Sequence, residues 1–194
     1  ETLRYFSNRI EDTGVRLHLS TRVSADDLTA LGVDEVVLAT GVTPREIDEM
    51  VADGELSASL EPAWSPFHTI ALGVLATGRW MQGDLEHALL DYTESIDSAT
   101  QTRAWVPLTR MLSLRALLHM DRGEWQAAAQ DVASSLDVID THHLAEYGTS
   151  ATTYAAATRL EIHHRNFDAA RTALAQAMRL RVLVSWVTPW ASVI

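Results

Sequence analysis

The side chains best suited to chemistry in this sequence come in pairs. His142-His143 and His163-His164 invite a metal reading. Neighbouring residues on a helix diverge by about 100°, so the two rings of one pair cannot easily share an ion. The i, i+4 spacing with a carboxylate that helical zinc sites use is also lacking. His163-His164 fall where a helix ends, and imidazole suits the negative end of the helix dipole. Glu86 with Asp91, and Asp137 with Asp140, are carboxylates close enough in sequence for acid–base work. No pattern supplies them with a pocket or an opposing base, and a solvated helix face accounts for them. Ser, His and acid are nowhere arranged as a nucleophile motif. The chain has no Cys, which excludes disulfides, thiolate zinc sites, cysteine-ligated iron–sulfur clusters and a thiol nucleophile. It has no Lys, so a GxxxxGK[ST] phosphate loop is chemically impossible. No catalytic residue, no metal ligand and no cofactor is therefore expected.

The six Trp offer binding rather than reaction. Trp80 and Trp125 sit at core positions of a repeat described below, and Trp64 lies in a junction. Trp105, Trp186 and Trp190 lie near the starts of successive first helices, which often line the concave face of a helical array. Core packing is one use for these three. The other is an aromatic-lined groove for a peptide or small effector, since Trp is enriched at binding hot spots.

The elements that position these residues repeat. WMQGDLEHALLDYTESI at 80–96 returns as MDRGEWQAAAQDVASSL at 120–136 and as IHHRNFDAARTALAQAM at 162–178. Gly83 and Gly123 hold equivalent turns 40 residues apart, and Arg165 takes the third place 42 residues on. Each turn is followed by an acid or amide (Asp84, Glu124, Asn166), a large apolar anchor (Leu85, Trp125, Phe167) and a small residue three further on (Ala88, Ala128, Ala170). Tyr92, Val132 and Leu174, then Ile96, Leu136 and Met178, complete a helical core face. The small residue lets a paired helix approach closely. The spacing predicts helix pairs 66–82 with 84–99, 104–122 with 124–140, and 145–164 with 167–183, with a truncated start of the next. A unit of this period cannot bury its face alone, so neighbours must stack. The fold expected is mostly α, a tetratricopeptide-like α-solenoid of antiparallel helix pairs over 64–194.

Residues 1–48 read differently. Leu3, Phe6 and Ile10 suit a helix ending at Gly14, and VRLHLS at 15–20 alternates as a strand does. Ser24 suits the N-cap of a short helix with Asp27 as an imperfect capping box, and VVLAT at 36–40 reads as a buried strand. This predicts a small α/β, Rossmann-like fragment. Residues 49–63 are acidic, carry Pro62 and are followed by Trp64-Ser65-Pro66, which marks a junction, with a short irregular helix over 50–60.

The net charge of −11 argues against a nucleic-acid surface. It also disfavours a bound acidic partner or an anionic membrane. No apolar run reaches the roughly 20 residues that cross a bilayer, and no signal peptide is visible, so a cytoplasmic setting is the default. Both ends read as internal to a longer chain.

Two resemblances carry these readings further. ETLRYFSNRIEDTGVRLHLSTRVSADDL followed by DEVVLATGVTPR resembles the flavin-domain segment of bacterial 2,4-dienoyl-CoA reductases and their old-yellow-enzyme-like relatives. Ala39, Thr40, Gly41, Pro44 and Arg45 match the turn that packs near FAD in that family. The resemblance implies cofactor binding by Ala39, Thr40, Gly41 and Pro44, and an FAD- and NADP(H)-dependent oxidoreductase as the alternative function. WSPFHTIALGVLATGRWMQGDLEHALLDYTESI, the RGEWQAAAQDVASSL turn and LRVLVSWVTPWASV resemble the tetratricopeptide-like array of the large MalT-type, ATP-dependent LuxR-family regulators. That implies a sensor and docking section that receives a protein or small-molecule effector on its concave face. It implies no catalysis and no direct DNA contact by this segment. The two resemblances meet at the junction, so the chain reads as a chimera of two families, joined by true fusion or by assembly.

Overall fold

The computed structural model describes residues 10, 12–15, 18, 21, 23–30 and 47–184. The chain divides into two compact units, Glu1–Thr43 and Pro44–Ile194.

In the first unit, residues 10, 12 and 13 are helical and Gly14 ends the helix at φ 68°. Helix α1 spans Ala25–Ala30. Its start is a reciprocal box: Asp27 N–H donates to Ser24 Oγ at 3.2 Å, and Ser24 N–H and Oγ–H donate to Asp27 Oδ2 at 2.9 and 2.7 Å. Among the described residues this unit contains no strand, so the α/β expectation for 1–48 finds no support there. Val15, which opens the stretch read as a strand, is 59% exposed. The stretch 36–40 lies outside the described residues.

In the second unit seven helices follow: α2 Ile47–Leu60, α3 Pro66–Gln82, α4 Leu85–Thr102, α5 Trp105–Asp121, α6 Trp125–Thr141, α7 Ser150–His163 and α8 Phe167–Val184. The pairs α3·α4, α5·α6 and α7·α8 pack most extensively. They are the three pairs that the repeat predicts. Helix α7 starts at Ser150 rather than at 145, because 144–149 fold into turns in which Ser150 Oγ–H donates to Leu144 O at 2.7 Å.

The stretch read as a junction carries a regular helix, α2, laid along α3. Gly54 and Gly78 make this possible. A Cβ on Gly54 would lie 3.0 Å from Leu75 Cα, and one on Gly78 would lie 2.8 Å from Val51 Cγ2. Pro62 and Pro66 do not separate domains. Pro66 opens α3 as its first residue, where a missing N–H costs nothing, and Ser65 Oγ accepts from Phe67 N–H at 3.1 Å.

Every turn in the array is built the same way. Gly83, Arg103, Gly123, His143 and Arg165 all have positive φ, between 55° and 86°. The next residue's N–H reaches back five residues in each case: Asp84 to Arg79 O, Ala104 to Ala99 O, Glu124 to His119 O, Leu144 to Ile139 O and Asn166 to Glu161 O, all at 2.8–2.9 Å. This closes the orphan carbonyls of the helix end. Arg103 and Arg165 hold the left-handed conformation against their Cβ, which costs about 1–2 kcal/mol each. Arg103→Gly and Arg165→Gly therefore stabilise the protein by about 0.5–1 kcal/mol after the unfolded-state entropy of Gly is subtracted. Gly83→Ala destabilises it by about 1 kcal/mol. Urea midpoints of the three variants check both signs.

The core follows the repeat. Ala88 and Ala128 are fully buried and Ala170 nearly so. Tyr92 and Val132 are buried, as are Trp80 and Met120 at the preceding helix ends. The anchors weaken along the chain: Leu85 and Trp125 are partly buried, and Phe167 is 55% exposed. Hydroxyls repeat too. Ser95 Oγ–H donates to Thr69 O at 2.8 Å, and Ser135 Oγ–H, 40 residues on, donates to Thr109 O at 3.0 Å. Each bond satisfies a buried polar group inside the seam between paired helices.

Candidate functional site

The helices of the array form two rows. The first helices of the pairs, α3, α5 and α7, touch one after another. Among the described residues α4, α6 and α8 make no such contact with each other. The row whose members touch, α3, α5 and α7, is called the inner row.

In that row α3 presents an apolar stripe to solvent. Phe67, Ile70 and Val74 are 65%, 44% and 39% exposed. Their spacing of three and four residues puts them on one side of the helix, while Leu72, Ala76 and Trp80 fill the core side. Helix α2 makes one wall, and the stripe lines a groove of about 360 Å³ that Asp53, Ser57 and Glu61 border. Beyond Val74, on the side of α3 turned away from α2, lies α5. Gly73 lets it approach: a Cβ there would run into Met111 Sδ. Thr77 continues the stripe, and its Oγ1 shares a hydrogen bond of 2.9 Å with the buried Tyr92 hydroxyl. Burial raises the Tyr92 phenol well above its ordinary value.

Arg110 lies on α5, near Tyr92. It occupies on α5 the place that Ile70 occupies on α3, 40 residues earlier. The side chain is partly buried, and its Nε is closed off from solvent with no hydrogen-bond partner. Desolvation pushes the guanidinium below its ordinary value, against the neighbouring Tyr92 phenol, which raises it.

The other charged clusters are ties between helices. Arg79 Nη1 donates to both Asp91 oxygens at 2.8 and 2.7 Å, and its Nη2 donates to Glu55 at 2.8 Å, joining α2, α3 and α4. Arg115 grips Asp131 with Nε and Nη2 at 2.8 and 2.7 Å. Arg122 bridges Glu86 and Glu124 at 2.7 and 2.8 Å, and His119 Nδ1 lies 2.6 Å from Glu124 Oε2. Hydrogen bonds first from Arg122 and then from His119 hold the Glu124 carboxyl below its ordinary value. A lowered carboxyl stabilises the fold above its unfolded value and loses that contribution as pH falls through the folded one. Glu124→Gln therefore flattens the acid limb of the stability–pH curve, read by thermal melts from pH 6 to about 3.

The residues singled out from sequence are mostly used structurally. Glu86 and Asp91 pair with different arginines, and Asp137 and Asp140 are exposed. His142 stacks on Trp105 at 4.2 Å, and His163 on Trp125 at 3.6 Å, in nearly parallel planes. Among the described residues no three His, Cys, Asp or Glu side chains are placed to hold a metal ion. Trp105 opens α5, half-buried against the core. Trp186, Trp190, Ala39, Thr40, Gly41 and Pro44 lie outside the described residues. Sequence reasoning missed the α3 stripe and Arg110. The available signal was a second set of apolar residues off the core face of 66–82.

No family model matches the chain. Among solved structures it is similar to BtubC (BKLC) from P. vanneervenii, with a TM-score of 0.60 and 21% identity over 73% of this chain and 59% of that one. It is also similar to aspartyl phosphate phosphatase F from Bacillus subtilis, with a TM-score of 0.56 and 13% identity over 73% of this chain and 36% of that one. The chain thus spans little more than half the length of the first and about a third of the second. These likenesses show a helical-repeat fold. Among the described residues no helix is long and apolar enough to cross a membrane.

Proposed function

We propose that this chain is a protein-docking module that takes its partner along the inner row of helices. The observation that carries the reading is the exposed stripe Phe67, Ile70 and Val74 beside a groove, on the face whose helices lie closest together. Apolar side chains held open along a groove give a docked segment its desolvation energy. Trp105 opens α5 in the same row, and the proposal extends the surface to it and to Trp186 and Trp190, which the sequence reads as near the start of the next first helix. The resemblance of 64–194 to MalT-type arrays supports a finer version, in which the module is the effector- or partner-receiving section of a LuxR-family regulator.

Immobilised protein tests the reading. Phe67→Ser/Ile70→Ser/Val74→Ser on the inner row should lose a partner that wild type captures. A control at Leu90, exposed on the outer helix α4, should keep it. Loss with Leu90→Ser and retention with the inner variant would place docking on the other row.

A further inference from the structure

Arg110 carries more charge than its place in the repeat requires. Its equivalents one repeat before and after are Ile70 and Thr152, so the packing of the array does not need a cation there. Arg79, Arg115, Arg122 and Arg159 each hold a carboxylate at 2.7–2.8 Å. Arg110 holds none among the described residues, and its Nε is buried without a partner. An unpaired, partly desolvated cation costs stability. A residue kept at such a cost is accounted for when a second molecule supplies the missing anion.

We infer that Arg110 reads a side-chain carboxylate on a docked peptide whose apolar residues lie along Phe67, Ile70 and Val74. The inference rests on the inner-face docking reading above. A guanidinium presents parallel N–H groups that match the two oxygens of a carboxylate. The two sides of the stripe differ in sign. Asp53 and Glu61 line the groove on the α2 side, and Arg110 lies on α5, the next helix of the row, at the place equivalent to Ile70. The acid of the ligand therefore turns to α5, and its α2 side is uncharged or basic. The net charge of −11 disfavours an acidic partner as a whole. One carboxylate among apolar residues is what the local charge admits.

Selection of a random 12-residue phage-displayed peptide library on the whole protein tests this. Enriched peptides should carry an Asp or Glu at a fixed offset from two or more large apolar residues, and should not bind the Phe67→Ser/Ile70→Ser/Val74→Ser variant. In a synthetic copy of the best peptide, Glu→Gln, or Arg110→Met in the protein, should weaken binding roughly 10- to 150-fold, the range for a charged hydrogen bond. Arg110→Met should meanwhile raise Tm by about 2–4 °C, which shows that the loss is not unfolding. Peptides that need the stripe but bind Arg110→Met unchanged would leave the docking reading standing and overturn the carboxylate assignment. Absence of any stripe-dependent peptide would overturn both.

Discussion

Asp131→Ala should lower the free energy of unfolding by about 3–5 kcal/mol. The Asp131 side chain is only 8% exposed and takes two bonds from Arg115, itself 18% exposed. Arg115 Nη1 also donates to Thr93 Oγ1 at 3.1 Å, so one guanidinium on α5 ties its own partner helix α6 to α4 of the pair before. Removing the carboxylate leaves a buried cation with a single hydroxyl for company. The pair itself is worth much less than that loss. Arg115→Met with Asp131→Leu should be near neutral or stabilising, because both desolvation costs disappear together. Urea denaturation of the single and double variants separates the two quantities. An Asp131→Ala protein that unfolds like wild type would show that the pair does not form.

Tyr92→Ala should cost a comparable amount, about 3–5 kcal/mol. Tyr92 is completely buried in the seam between α3 and α4, and its ring meets Trp80 edge-on with centroids 6.5 Å apart. Its deletion leaves a void that Ala76, Ala88 and Ala99, all at 0% exposure, are too small to fill. Tyr92→Phe keeps the ring and loses only the bond to Thr77, so it should cost about 1 kcal/mol. Thermal melts followed by Trp fluorescence report both. Equal effects from the two substitutions would mean that the hydroxyl, not the ring, holds the seam.

The helix pairs are legible because their signals are local. A positive-φ residue recurs at 83, 103, 123, 143 and 165, and two of the five are Gly at matching turns. Ala88 and Ala128 mark helix crossings because no larger side chain fits there. The capping box at Ser24 and Asp27 is local as well, and it forms. Helix α2 is hidden for the opposite reason. Gly54 and the acids of 46–61 suggest a linker, yet that Gly is where α2 presses against Leu75, a contact that exists only after folding. The ion pairs and the stripe are likewise products of register between helices. Arg115 finds Asp131 and Thr93, not the acids nearest in sequence. Nothing at 110 alone distinguishes a partnered arginine from an unpartnered one. Phe67, Ile70 and Val74 look like core residues until α2 and α5 are seen to leave them open.

The inner row combines an apolar stripe with one unpaired guanidinium, beside the acids that α2 and its end contribute.

Amide hydrogen exchange of the protein with and without a captured partner tests the central claim most directly. Docking on the inner row should slow exchange in α3 and α5, centred on residues 67–77 and 106–114, and leave the outer helices α4 and α6 unchanged. Protection confined to α4 and α6, with α3 and α5 exchanging as in the free protein, would contradict it.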